Sequence, residues 1–228
     1  MVPAKPLLTP TLWRVLVGGV AVSLVLLVTL GLLVGRSWGS TADTPAAGSV
    51  EVGFAQDMQA HHRQAVEMST LVRDRTDDPD VRQLALDIAL TQQQQAGQMF
   101  AWLETWGVGQ GRTEPVMAWM DEVPDGQAGH EMEMAEGGLG SVAEMPGMAT
   151  AEQMARLEAA EGVEAERIYL QLMATHHVAG VEMAEAGAEG SELPVVQRLA
   201  TAMATGQQSE LLVLDDLLAE RGGPLDDL

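Results

Sequence analysis

The residues best suited to chemistry lie in two short stretches, Met58-Gln-Ala-His61-His62-Arg-Gln-Ala65-Val-Glu-Met68 and, 115 residues later, Met173-Ala-Thr-His176-His177-Val-Ala-Gly180-Val-Glu-Met183. Four of the five histidines of the chain are in them. A neutral imidazole offers a nitrogen lone pair and a thioether a soft sulfur, a combination that suits copper better than calcium or magnesium, which prefer oxygen. No Cys is present, so thiolate sites and disulfides are excluded. The alternative use of the same residues is structural, with the histidines as hydrogen-bonded members of a core.

The elements that must position these side chains are helices. At 3.6 residues per turn, Phe54, Met58, His61, His62, Ala65 and Met68 share one face, and Tyr169, Met173, His176, His177, Gly180 and Met183 share the corresponding face of the second copy. The small residue one turn after each pair, Ala65 or Gly180, leaves space for a partner helix or a bound ion. A helix is expected from Val50 to Arg73. Asp77-Asp78-Pro79 then supplies a turn, a cap and a proline suited to a first helical position. A second helix follows to Trp106, with Val81, Leu84, Ala85, Ile88, Gln92, Gln95, Met99, Trp102 and Trp106 on its inner face. The amides of Gln92 and Gln95 need partners if buried, and the histidines of the preceding helix are the obvious ones.

Residues 54–107 align without a gap on 169–222, pairing Phe54 with Tyr169, Pro79 with Pro194, Gln92 with Gln207, Gln95 with Glu210 and Gly107 with Gly222. Each copy reads as one antiparallel helical hairpin, which cannot bury its apolar face alone. Two together predict an all-α fold, a four-helix bundle with approximate two-fold symmetry and the four histidines turned inward. The expected divisions are a cytoplasmic N-terminus at 1–14, a transmembrane helix at 15–34, a linker at 35–49, the first hairpin at 50–107, a Met- and Gly-rich connector at 108–150, the second hairpin at 151–222 and a tail at 223–228.

In the connector, Glu114 to Asp121 is expected as a short helix, and the stretches around His130, Met132 and Met134 and around Met145 and Met148 as irregular chain. These five residues could form a flexible soft-metal site, or pack loosely against the bundle. Thr150 and Gln153 make a capping-box pattern that opens a further helix, broken near Gly162.

The charge pattern speaks to location. Val15 to Val34 is a 20-residue uncharged run, about the length that crosses a bilayer as a helix. Lys5 and Arg14 precede it; the chain after Arg36 carries nine basic and 33 acidic residues, a net of −24. The positive-inside rule then puts the N-terminus in the cytoplasm and the acidic part outside, as a single-pass membrane protein. Export after cleavage of a signal peptide is the alternative, and the run is longer than the usual apolar segment of about 7 to 15 residues. An acidic surface of this kind excludes nucleic acid as a partner.

Di-iron carboxylate bundles place a His three residues after a Glu; here Met58 and Met173 stand at that position, which argues against ferroxidase chemistry. No phosphate-binding Gly loop, Gly-x-Ser-x-Gly or His-Glu-x-x-His is present. The paired Met-x-x-His-His segments with their following Glu-Met, the Gln-rich second helix ending at Met99 to Gly107, and the run from Met145-Pro-Gly-Met148 to Gln153-Met154 resemble the domain of unknown function family 305, over roughly Val50 to Gly222. The resemblance implies a ferritin-like four-helix bundle, usually exported in bacteria, with some members associated with copper binding and tolerance and no established enzymatic activity. The second half departs from the first where Leu214 and Leu217 replace Met99 and Trp102.

The expected function is thus a membrane-anchored extracytoplasmic protein that sequesters or hands on copper without catalysis. The metal ligands are His61, His62, His176, His177, Met58 and Met173; Gln92, Gln95, Met99, Gln207, Glu210, Met68 and Met183 stand by as supporting or additional ligands. Two alternatives remain at this level, a structural or protein-interaction module with core histidines and a metal-dependent enzyme.

Overall fold

The computed structural model describes residues 44–123 and 139–228, together with Arg14, Val25 and residues 27–29. The chain divides into two units, Met1–Thr44 and Pro45–Leu228. In the first, Arg14, Val25 and residues 27–29 are helical and the Thr29 hydroxyl donates to the Val25 carbonyl at 2.9 Å. No helix among the described residues is long and apolar enough to cross a membrane, and the run at 15–34 lies almost wholly outside those residues.

The second unit consists of α1 (Val50–Arg73), α2 (Pro79–Trp106), α3 (Ala151–Ala159), α4 (Gly162–Gly190) and α5 (Pro194–Glu220), with single 3-10 turns at Ala118–Glu122 and Val142–Glu144. No strand occurs among the described residues. Local chemistry sets the boundaries. The Ser49 side chain accepts from Val52 N at the start of α1; the Asp78 carboxylate accepts from Asp80 N and Val81 N, and Pro79 occupies the first turn of α2. Gly107, at φ 69°, ends α2 in the left-handed conformation that glycine adopts without a steric penalty. Thr150 and Gln153 form a reciprocal capping box at the start of α3. Helical chain is interrupted at Ala160 and Glu161 and resumes at Gly162, whose φ is 56° and whose N–H donates to the Arg75 carbonyl at 2.7 Å.

Helices α1 and α2 pack as one antiparallel hairpin and α4 and α5 as another, and the two hairpins meet chiefly through α1 and α4. These central helices are also antiparallel. Phe54, near the start of α1, fills the space a Cβ on Gly187 would need, whereas Ser69, near its end, shares a 3.1 Å hydrogen bond with the Tyr169 hydroxyl at the start of α4. Midway, the His61 ring lies against that of His176. The copies are offset by 115 residues, so His61 meets its own counterpart and the approximate two-fold axis passes between the two rings.

That symmetry extends past the aligned stretch. Glu51 accepts from the Ser191 hydroxyl (3.0 Å) and Glu192 N (2.8 Å), and its counterpart Glu166 accepts from the Thr76 hydroxyl (2.5 Å), Thr76 being the counterpart of Ser191. Each tie fastens the start of one central helix to the turn leaving the other. Among the described residues only the second includes a cation: Arg221 bonds Glu166 at 2.5 Å and Asp78 at 2.8 Å. Burial acts to raise the Glu51 carboxyl, but bonds from backbone N–H groups and from Ser49 and Ser191 outweigh it and hold it below its ordinary value.

The apolar core forms two clusters. One gathers Phe54, Met58, Met99, Leu103, Met183 and Met203; the other gathers Met68, Ile88, Tyr169, Leu170, Met173 and Leu214. Along both central helices the histidines fall between them. On α2 the fully buried residue of the last turns is Leu103, while Trp102 and Trp106 are half-buried and stack on each other at 5.9 Å. The expected inner face is thus displaced there by one position, because Leu103 continues the row of Ile88, Gln92 and Met99.

The connector is held by buried polar groups. The Asp57 carboxylate accepts from Arg112 (2.7 Å), Met117 N (2.8 Å) and the Trp119 indole (3.0 Å), and Trp119 packs edge-on against Phe54. In place of a helix from Glu114 to Asp121, the chain makes only the 3-10 turn at Ala118–Glu122. Farther on, the Gln64 amide pairs with Ala149 through both its N–H and its carbonyl (2.7 and 2.8 Å). Gly147, at φ 75°, lies so close to α4 that a Cβ would stand 2.6 Å from the Ala179 Cβ and 3.2 Å from the His176 Cα. Met145 is buried and Met148 half-buried in this turn; His130, Met132 and Met134 lie outside the described residues.

Candidate metal centre

The amphipathic pattern of α1 and α4 and their antiparallel crossing bring His61, His62, His176 and His177 into one interior layer, and all four are fully buried. The rings of His61 and His176 are 3.6 Å apart between centroids and tilted by 30°. Among the described residues neither nitrogen of either ring has a hydrogen bond of ordinary geometry, although the His61 backbone lies close enough to His176 to favour its protonated form. His62 and His177 turn outward to the second helix of their own hairpins. His62 Nε2 lies 2.8 Å from Gln95 Oε1, and His177 Nε2 lies 2.7 Å from Glu210 Oε2.

A carboxylate oxygen only accepts, so Nε2 of His177 carries a proton, and with the Gln95 carbonyl oxygen turned to it Nε2 of His62 carries one too. Both Nδ1 atoms are buried and without a partner. Gln92 and Gln207, counterparts in the repeat, are also buried, and neither atom of either amide is paired. Gln95 thus finds the histidine partner expected of it and Gln92 does not. Of the fourteen unpartnered buried side-chain N and O atoms among the described residues, ten belong to these four histidines and two glutamines. A buried polar atom without a partner costs about 1 to 3 kcal/mol, and such a concentration in one layer sets it apart from the rest of the core.

The same burial keeps the rings of His61, His62 and His176 neutral. It drives His61 and His176 well below the ordinary imidazole value, and the neighbouring imidazoles add to the effect. His62 is pushed down to about 4 by burial, against the bond to Gln95, which favours its protonated form. A neutral ring is the form that binds a metal.

Met58 and Met173, one turn before the paired histidines, are fully buried, as are Met68 and Met99; Met183 is all but so. Leu214 replaces Met99 in the second copy and is equally buried. The space beside Gly180 is filled from within: a Cβ there would fall 2.2 Å from Gln207 Oε1 and 3.1 Å from His61 Cε1. Among the described residues no three His, Cys, Asp or Glu side chains stand together as a ready-made ligand set. Sequence reasoning missed the close approach of the Gly147 turn to the backbone of His176, since the 29 residues from 147 to 176 leave no periodic signal.

The model of the family described as Domain of unknown function (DUF305) matches residues 51–218. The chain belongs to the DUF305 family. A DUF305 protein of Streptomyces coelicolor, regarded as secreted, has a solved structure 45% identical to this chain; the match covers 78% of this chain and 98% of that one, with a TM-score of 0.68. A DUF305 fragment from Deinococcus radiodurans is 32% identical over 75% of this chain and 96% of its own, with a TM-score of 0.59. CopM in its Cu(II)-bound form shares the fold at 20% identity, covering 75% of this chain and 97% of CopM, with a TM-score of 0.53. No curated protein matches the chain.

Proposed function

We propose that this DUF305 protein binds copper in the core of a ferritin-like four-helix bundle, outside the cytoplasm and anchored by the apolar run at 15–34, and that it sequesters or hands on the metal without catalysis. The observation that carries the reading is the layer of buried, neutral, unpartnered imidazole nitrogens between α1 and α4. His61, His62, His176 and His177 would hold the ion, with Met58 and Met173 as the thioether donors nearest in sequence. Imidazole and thioether donors suit a soft ion such as Cu(I) better than an ion that needs six oxygens. Gln92 and Gln207 would support the ligands by hydrogen bonding. Supporting the choice of metal, the same fold occurs in CopM, which has been seen with Cu(I) and with Cu(II) bound. Support for the location comes from the Streptomyces coelicolor relative, regarded as secreted, and from the charge asymmetry around the apolar run.

Burial has already removed the competing proton from His61, His62 and His176 at pH 7, so these imidazoles take up the metal without having to titrate first. A second copper site in the connector, from Met145 and Met148 with His130, Met132 and Met134, is a separate proposal.

The test is copper stoichiometry and thermal stability of the full-length chain under reducing and oxidising conditions, in three forms: wild type, all four core histidines changed to Ala, and Met132, Met134, Met145 and Met148 changed to Leu. Copper at about a hundredfold excess over its dissociation constant should stabilise the wild type by roughly 2.7 kcal/mol, and the histidine variant should lose that shift. A wild type that neither retains copper nor shifts in melting temperature would leave the histidines a structural role only.

A further inference from the structure

The two halves of the histidine layer are related by the repeat but are not chemically equal. His62 donates from Nε2 to Gln95, a neutral amide, whereas His177 donates from Nε2 to Glu210, a carboxylate, at almost the same distance (2.8 and 2.7 Å). Residue 210 is the counterpart of residue 95, so one position in the repeat differs by a full negative charge where it touches a ligand candidate. The His177 ring is fully buried and the Glu210 side chain 25% exposed. The carboxylate therefore keeps contact with water while its hydrogen bond reaches a dry interior.

A carboxylate that accepts the N–H of an imidazole does two things to the far nitrogen: it fixes the tautomer and ring orientation, and it pushes electron density towards the lone pair. An amide oxygen does the first and little of the second. From this difference we infer that Glu210 is a positioning residue that makes His177 Nδ1 the stronger donor of the layer, so that the half built from the second copy favours the more highly charged cupric ion while the His62 half, backed by Gln95, favours cuprous copper. The inference rests on the copper reading and adds to it a preference between oxidation states set by one side chain outside the ligand set. It also accounts for a departure from symmetry that packing does not require, since Gln and Glu have nearly the same shape.

Two reciprocal variants of the full-length chain separate this from a structural role. Glu210→Gln keeps the hydrogen bond and removes the charge; Gln95→Glu adds the charge to the other half. Without metal, 15N-histidine NMR of the wild type should show both rings protonated at Nε2, with the His177 Nε2–H further downfield than that of His62, and the two should converge in Glu210→Gln. With metal, Glu210→Gln should weaken Cu(II) binding about 10- to 100-fold and leave Cu(I) binding within a few-fold, while Gln95→Glu should strengthen Cu(II) binding. Melting curves of the metal-free variants check that each is folded. A wild type that binds neither form of copper overturns the copper reading and this inference with it. Copper bound by the wild type with unchanged Cu(II) affinity in Glu210→Gln, or metal-free spectra in which His62 and His177 are alike, overturns the inference alone.

Discussion

Acid should unfold this protein through its own histidine layer, well above the pH at which its carboxylates lose their partners. His62 has a folded pKa of about 4 against 6.5 for a free imidazole. Between these values the unfolded chain binds a proton that the folded chain refuses, so stability is at its full value above about pH 6.5 and falls as the pH is lowered through the window. One pKa unit corresponds to about 1.4 kcal/mol, so His62 alone removes roughly 3 kcal/mol across it. His61 and His176 are depressed further by their burial and by the neighbouring imidazoles, and each adds a slope of the same sign. Together the three rings make the loss steeper than His62 alone would, in the same pH window, against a whole stability of about 5 to 15 kcal/mol for an ordinary domain. Glu51 and Asp78, whose carboxyls are held below their ordinary values, contribute losses only at lower pH. Protonation of the acidic surface relieves repulsion and works in the opposite direction. The assay is urea denaturation of the metal-free chain, followed by far-UV circular dichroism, at several pH values from 7.5 to about 5. Changing His61 and His176 together to Leu should reduce the slope to about 1.4 kcal/mol per unit, that of the remaining His62. A wild-type stability that is flat between pH 6.5 and 5, or a double variant with the wild-type slope, would refute the claim that these rings are held neutral by burial.

Other consequences are structural. Asp57→Ala leaves the Arg112 guanidinium, Met117 N and the Trp119 indole without their common acceptor, and should cost about 3 to 5 kcal/mol in chemical denaturation, with a change in tryptophan fluorescence as Trp119 loosens. Gly97→Ala and Gly206→Ala, on exposed helical surface where a Cβ meets nothing within 4 Å, should each raise stability by up to about 1 kcal/mol. Gly187→Ala should lower the melting temperature despite the same gain in helix propensity, because its Cβ would stand 2.5 Å from the Phe54 ring; stabilisation there would mean that α1 and α4 are not packed so closely.

Local rules and an internal duplication made much of this protein legible in the sequence. Helix boundaries follow from Asp78-Pro79, Gly107, Thr150 with Gln153, and Gly162, whose effects are confined to a few residues. The 3.6-residue period places each histidine pair on a buried face, and the repeat makes the two faces equivalent. The family could be read from the same motifs, and the match over residues 51–218 shows it.

The tertiary structure alone decided which buried residues meet. Antiparallel crossing at the middle of α1 and α4 sets His61 against His176, and a different crossing point would have paired the same faces with other neighbours. It also gave Gln95 a histidine partner and left Gln92 and Gln207 with none, although all three lie on inward faces by periodicity. The ties of Glu51 to Ser191 and of Glu166 to Thr76 span 140 and 90 residues, and those of Asp57 to the connector span 55 to 62. No local period carries such a signal. A hydrogen bond depends on where two backbones come to lie in space, and that is fixed by the packing of whole helices rather than by the residues that form the bond.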